Sequence, residues 1–262
     1  MKSIANCLLI LLSTTATLAQ VLPLTTDNDS AKYYYYQGWN EVMNHGNYSA
    51  SEVAFRKMYA FDSSFVLGQA LMGRISDQAE EQERIITSLE ANLDSASTDE
   101  QLIIELFMEL IKRRVDAGTL ERDELFDLAL NNLGSIAYAY DKEDYYFAEY
   151  MEWINAAEGP QAALDSINQL ASASHHIMPF MIGYKVHLHA ELGEFEHAEI
   201  YLNQLENQLA GKSVPKVAAV KASLLMKQNK PEQARIYIDR ALVLDPQNLD
   251  VARLKNSIKT DE

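Results

Sequence analysis

The sequence predicts an all-α protein built from stacked antiparallel helix pairs. Three observations support this fold class: apolar residues recur at helical spacing, proline and glycine mark the helix ends, and the pattern repeats about every three dozen residues. No stretch alternates apolar and polar residues over any length, so no strand is predicted. With 262 residues and 48% hydrophobic composition, the chain is long enough for one large domain or for a solenoid.

The stretch from Gln228 to Asn248 shows the pattern most clearly. Pro231 stands at a first-turn position, where the missing N–H of proline is tolerated. Small, bulky and small residues then follow on one helical face, at spacings of four and three: Ala234, Ile238 and Ala241. Asp245-Pro246 ends the helix, because proline cannot continue it and disfavours helix at the residue before it. This stretch therefore predicts the second helix of a hairpin.

The same spacing recurs upstream. The small leading residues are Ala163, Ala198 and Ala234, which are separated by 35 and 36 residues. The upstream triads are Ala163, Ile167 and Leu170; Ala198, Leu202 and Leu205; and, near the N-terminus, Ser51, Phe55 and Met58. An amphipathic segment precedes each triad, at 33–44, 145–156, 179–191 and 215–228. Each triad and its preceding segment form one predicted hairpin.

This pattern resembles the tetratricopeptide repeat (TPR) family, and in particular its exported bacterial-type members. The resemblance implies a right-handed α-solenoid of about six hairpins, with a C-terminal capping helix at Leu249–Ile258. The repeat domain would span 33–259. The clearest repeats are 33–62, 145–172, 179–209 and 215–246, and the stretch 64–140 is degenerate because the small-bulky-small spacing is lost there.

Residues 1–19 have the features of a secretory signal peptide. Lys2 supplies the positive charge, Ile4–Leu12 is a short apolar run, and Ala19 ends a small-residue cleavage site. The only cysteine, Cys7, lies inside this segment, so neither disulfides nor thiol chemistry are expected after cleavage. We expect a soluble exported protein, periplasmic or secreted, without stable membrane insertion. Residues 20–32 are rich in polar residues and are predicted to be a flexible lead-in.

The net charge of the chain limits the classes of partner that it is expected to bind. The chain has 22 Lys and Arg against 38 Asp and Glu, a net charge of −16. Such a chain repels the phosphates of nucleic acids and the surface of anionic lipids, so neither is an expected partner. Protein or peptide partners remain, and the sequence leaves both the oligomeric state and the identity of the partner open.

The sequence contains no established catalytic motif. There is no phosphate-binding glycine loop, no Gly-x-Ser-x-Gly elbow and no His-Glu-x-x-His zinc motif. His187 and His189 would point about 200° apart on a helix and could not share an ion. A metal site from His176, His187 and Glu191 is conceivable, but surface polar residues are the more common interpretation. We therefore expect no catalysis, no cofactor and no metal; the alternative is a hydrolase or metal-dependent enzyme with its site in a helical groove.

The resemblance assigns binding to the concave surface, which the first helix of each pair lines. Mapped onto this sequence, that surface would hold Tyr33, Tyr36, Asn40, Met43, Asn44, Leu67, Arg74, Tyr145, Glu152, Asn155, Phe180, His187, Glu191, Lys216, Ser223, Met226 and Lys227. The set is rich in aromatic and amide groups and carries charges of both signs, which suits a bound peptide. A filled groove, in which these side chains pack on neighbouring helices, is the alternative.

Overall fold

The computed structural model describes residues 20–116 and 118–260. Helices account for 78% of the structure, and no strand occurs in these two ranges. The predicted all-α class is therefore confirmed. The first seven helices are α1 Asp29–Trp39, α2 Tyr48–Phe61, α3 Val66–Ile75, α4 Ala79–Asn92, α5 Thr98–Arg114, α6 Arg122–Ala139 and α7 Asp144–Glu158. The remaining seven are α8 Pro160–Leu170, α9 Ala173–His176, α10 Pro179–Glu191, α11 Phe195–Gln208, α12 Lys216–Lys227, α13 Pro231–Leu244 and α14 Leu249–Thr260. The predicted signal peptide lies outside the described residues.

Helix ends follow the local sequence. Asn47 caps α2 by accepting a hydrogen bond from a first-turn amide, and Ser97 and Glu100 form a reciprocal capping box at α5. Pro231 is the first residue of α13, and the helix ends before Asp245. A π-helical segment, Asn40–His45, continues α1. The polar capping residues and the proline of the sequence therefore coincide with the observed helix ends.

Consecutive helices pack against each other, and four contacts skip one helix: α3 with α5, α8 with α10, α10 with α12, and α12 with α14. The four triads lie on α2, α8, α11 and α13, which pack against the helices next to them in the chain. All of their members are buried except Leu170, which is half-buried. The small leading residue of each triad allows the backbones to approach closely, and the bulky residue after it fills the space that remains.

Two glycines mark close helix contacts in the degenerate region. A methyl group added at Gly73 would lie 2.5 Å from Cδ1 of Ile111 on α5. One added at Gly134 would lie 3.3 Å from the ring of Tyr150 on α7. Gly134 lies inside α6, although glycine is unfavourable in an isolated helix, and its lack of a side chain allows the Tyr150 ring to approach closely.

The largest core brings together helices that are far apart in the chain. The Trp39 ring at the end of α1 stacks on Tyr145 of α7, with centroids 5.5 Å apart, and meets Tyr146 edge-on at the same distance. The hydroxyl groups of Tyr35 and Tyr146 share a buried hydrogen bond of 2.8 Å. Phe107 of α5 completes the cluster. Helices α1, α5 and α7 therefore share one aromatic core.

The segment 20–28, predicted to be flexible, packs against the helices. Leu22 is 2% exposed, and its backbone N–H donates to the Glu143 carboxyl group at 3.3 Å. The backbone N–H of Gln20 donates to Asp141, and that of Thr25 donates to Glu100. The polar composition of this segment is typical of a loop, but its partners are carboxylates 75 to 121 residues away, which no local pattern reveals.

Glu143 gives the fold a predictable pH dependence. Burial, together with the nearby charge of Asp144, raises the pKa of Glu143 to about 7, whereas an unfolded glutamate titrates near about 4.3. The folded state thus holds the proton to higher pH than the unfolded state. This contribution to stability is fully present below the unfolded pKa and is lost as pH rises towards 7.

We expect Glu143→Gln to remove this loss of stability at higher pH. The amide oxygen still accepts a hydrogen bond from the Leu22 backbone N–H, and the amide cannot ionise. Above pH 7 the variant should be more stable than the native protein, by on the order of 3 kcal/mol. Urea unfolding between pH 4 and pH 8 measures the difference. Glu158→Gln, at an exposed position, is the control. Parallel pH profiles for the native protein and Glu143→Gln would contradict the prediction.

The first and last hairpins meet. Asp245 is fully buried and accepts hydrogen bonds from the Tyr48 backbone N–H at 2.7 Å and from the Ser49 hydroxyl. The Asn248 side chain donates to the Gly46 carbonyl at 2.6 Å, and the Tyr48 hydroxyl donates to Asp250 at 2.8 Å. These contacts join residues about two hundred positions apart in the chain. No helix in the described residues is both long enough and apolar enough to cross a membrane.

Candidate functional site

A cavity of about 580 Å³, here called the chamber, lies among α7, α10, α12 and α14. The end of the first hairpin helix and the loop before α14 complete its wall, at Val42, Gly46 and Asn248. A smaller cavity of about 290 Å³ shares Glu152 and Lys216 with it and extends towards α3 and α5. The chamber is within the size range of pockets that bind small ligands or a few residues of a peptide.

Helical spacing places the chamber side chains. On α10, Phe180, Tyr184 and His187 follow each other at intervals of four and three residues and share one face. Their rings form a stacked ladder, with centroids 5.7 Å apart for the first pair and 6.2 Å apart for the second. On α12, the residues that line the chamber are Lys216, Ala219, Val220, Ser223 and Leu224, again on one face.

The chamber contains charges of both signs. The Lys216 ammonium group lies 4.7 Å from the Phe180 ring centroid, a cation–π distance, and burial lowers the pKa of this lysine. Burial, with the charges of Glu149 and Asp250, raises the pKa of Glu152 to about 8. Its side chain is exposed, however, so water in the open cavity screens these charges.

A polar network forms the rim of the chamber. Glu191 accepts hydrogen bonds from Lys227 at 3.1 Å and from the Asn155 amide at 3.3 Å, and it lies 3.5 Å from His187. Burial lowers the pKa of His187, so its neutral form is favoured. The Asn155 carbonyl oxygen is buried and accepts no hydrogen bond from the described residues.

The smaller cavity has a partly buried ion pair in its wall. Arg74 donates to Glu149 at 2.7 Å, and its guanidinium group lies 4.3 Å from the Phe107 ring centroid. Arg114 donates to the carbonyl of Arg74. Burial and the charge of Arg74 lower the pKa of Arg114. The lining of this cavity is therefore more cationic than that of the chamber, and Glu152 and Lys216 line both cavities.

The structure places the predicted groove residues in several environments. Six of them line the chamber: Glu152, Asn155, Phe180, His187, Lys216 and Ser223. Glu191 and Lys227 form its rim, and Met43 and Arg74 line the smaller cavity. Asn40 does not line the chamber. Its side-chain oxygen accepts a hydrogen bond from the Asn44 amide, and the Asn44 oxygen accepts one from the Phe180 backbone N–H.

Five predicted positions lie elsewhere. Leu67 is fully buried and Tyr145 stacks on Trp39, so neither lines an open groove. Met226 packs in the core between α12 and the last two helices. Tyr33 and Tyr36 are exposed and line neither cavity. For the positions on α1, the physical reason is the packing of this helix against α7. The Trp39 ring stacks on α7 and fills the space that the predicted groove would occupy.

The prediction missed the contributions of α14. Asp250, Arg253, Leu254 and Ser257 line the chamber, although this helix was expected only to cap the last repeat. Tyr184 was also missed, and helical spacing from Phe180 and His187 could have found it. Among the described residues, His176, His187 and Glu191 do not converge to metal-ligand spacing. His176 instead lies 2.9 Å from the Lys185 ammonium group.

No protein-family model matches this chain, and searches among curated proteins and among solved structures gave no match either.

Proposed function

We propose that this protein is a non-catalytic scaffold that binds a segment of a protein or peptide in the chamber. The observation that carries the proposal is the chamber itself: about 580 Å³, lined by the stacked rings of α10 and by charged and amide groups from three other helices. Aromatic rings supply contact area at a low entropic cost, and polar groups around them fix the orientation of a ligand.

The chemistry of the chamber suits the main chain of a peptide. The Asp250 carboxylate, which lines the chamber, is an acceptor for a peptide N–H group. The ammonium group of Lys216 is a donor for peptide carbonyl groups. A short segment can therefore form hydrogen bonds on both of its polar edges while its side chains contact the aromatic ladder.

We also propose that the helix pairs form a right-handed TPR-like solenoid. The paired helices, the buried triads and the contacts that skip one helix support this arrangement. The contact between the first and last hairpins would then form part of the chamber wall, at Gly46 and Asn248. Residues 1–19, with their charged start, apolar run and small-residue end, support export to a periplasm or out of the cell.

Peptide selection tests the proposed function. The untagged protein is used to select binders from a random 12-residue peptide library, and the selected peptides are titrated by calorimetry. We expect Lys216→Met and Asp250→Ala each to weaken binding at least tenfold, about 1.4 kcal/mol. Tyr33→Ala and Tyr36→Ala, on the exposed side of α1, should leave the affinity unchanged.

The two pairs of variants separate the chamber from the outer surface. If no peptide is enriched, or if the affinity falls for the two tyrosine variants and not for the chamber variants, the proposal is wrong. Circular dichroism of each variant confirms that a loss of binding does not reflect a loss of helix.

A further inference from the structure

Three metal-ligating side chains converge at the turn between α10 and α11. Nδ1 of His189 lies 2.7 Å from Oε2 of Glu194, and Nδ1 of His197 lies 3.7 Å from the same oxygen. One ligand atom from each residue can be chosen so that all three lie within 4.8 Å of one another. Within the described residues, this is the one group of at least three His, Cys, Asp or Glu side chains with such spacing.

The backbone holds these three residues in place. Gly193 adopts a left-handed conformation, with φ of 76°, which allows α10 to end and α11 to begin within three residues. The Glu194 backbone N–H donates to the His189 carbonyl at 2.9 Å, which fixes the two residues relative to each other. His197 follows on the first turn of α11, on the side that faces His189, with the two ring centroids 5.3 Å apart.

The His189 ring is oriented before any ion binds. It stacks on the Tyr201 ring, with centroids 5.4 Å apart and planes 12° apart, and its side chain is 15% exposed. His197 and Glu194 are exposed and can adjust by rotation of their side chains. One ligand is therefore held by packing, and the other two are free to complete the coordination.

We propose that His189, Glu194 and His197 form a binding site for a divalent transition-metal ion, with Zn²⁺ as the best fit. Two imidazoles and one carboxylate are a ligand set that zinc prefers, at metal–ligand distances of about 2.0–2.2 Å. In tetrahedral geometry such distances separate the ligand atoms by about 3.3 Å, a value between the two observed separations. Three protein ligands leave a fourth position for water or for a group from a partner.

The site is distinct from the chamber. His187 faces the chamber, and His189, two residues later on α10, points to the other side of the same helix. Metal binding at this turn would join the ends of α10 and α11, and it does not depend on the proposed peptide binding. If the test of one proposal contradicts it, the other proposal is not affected.

Calorimetry of the untagged, EDTA-dialysed protein with ZnCl₂ tests the site. We expect one Zn²⁺ per chain and a rise in the melting temperature at saturating Zn²⁺, because the ion binds the folded state. His197→Ala and Glu194→Gln should each weaken binding at least tenfold. Both positions are exposed, so the variants should fold normally.

His187→Ala is the matched control, since it removes a histidine from the opposite face of α10. A second readout is the visible spectrum with Co²⁺, in which intense absorption bands indicate four-coordinate geometry. The proposal is overturned if the native protein binds Zn²⁺ no more tightly than His197→Ala does, or if His187→Ala abolishes binding while His197→Ala does not.

Discussion

Replacing Trp39 with alanine is expected to lower the free energy of unfolding by about 3–5 kcal/mol. The side chain is 3% exposed and packs against Phe55, Tyr145 and Tyr146. Its indole N–H is buried and donates no hydrogen bond to the described residues, so ring packing alone holds it. Urea unfolding followed by circular dichroism measures the change.

Trp153→Ala is the matched control, because it removes the only other tryptophan of the chain. Trp153 is half-buried and meets Phe126 edge-on, with centroids 5.7 Å apart. Its loss should therefore cost less than that of Trp39. Equal losses for the two variants would show that the Trp39 cluster is not the main core of the protein.

The effect of Trp39 should extend beyond its own helix. Because its ring joins α1 to α5 and α7, the alanine variant should increase hydrogen exchange in all three helices. A cavity confined to α1 would affect that helix alone.

The second large effect is expected for Asp245→Ala. The carboxylate is fully buried and accepts hydrogen bonds from the backbone N–H and the hydroxyl group at the start of α2. Its removal leaves these donors without their partner and removes a negative charge from the N-terminus of a helix. We expect a loss of about 2–4 kcal/mol in the free energy of unfolding.

Asp239→Ala, on the preceding helix, is the control for Asp245→Ala. Its exposed carboxylate lies 3.2 Å from Lys255, and such surface ion pairs contribute about 0–1 kcal/mol. A similar small loss in Asp245→Ala would mean that the contact between the first and last hairpins adds little to stability.

Asp245 also connects stability with the proposed function. Its contact holds the last hairpin, and therefore α14, against the start of α2, and α14 supplies Asp250 and Arg253 to the chamber. Asp245→Ala should thus weaken the binding of selected peptides even under conditions where the protein remains folded. Unchanged affinity would show that the chamber keeps its shape without this contact.

The metal site shows why some sites escape prediction from sequence. His189 and His197 lie on different helices, eight positions apart, and match no spacing within one helix. Only the turn at Gly193 brings them together with Glu194. Tyr184, by contrast, follows Phe180 at a helical interval and was accessible to the same reasoning that found its neighbours.

The sequence by itself determined the all-α class, most helix boundaries and the buried faces around Ala163, Ala198 and Ala234. These features depend on interactions within a few residues, and helical periodicity records them directly. It also identified six side chains that line the chamber, because residues on one face of a helix stay together wherever that helix packs.

The tertiary structure alone decided that Trp39 fills the space beside α7, that residues 20–28 pack on distant carboxylates, and that α14 lines the chamber. The hydrogen bonds among these distant segments join residues 75 to 202 positions apart. Such contacts depend on the angle at which each helix pair packs on the next, and small angular differences accumulate along the chain. No local pattern of residues records that accumulated angle, so only the folded chain shows which distant surfaces meet.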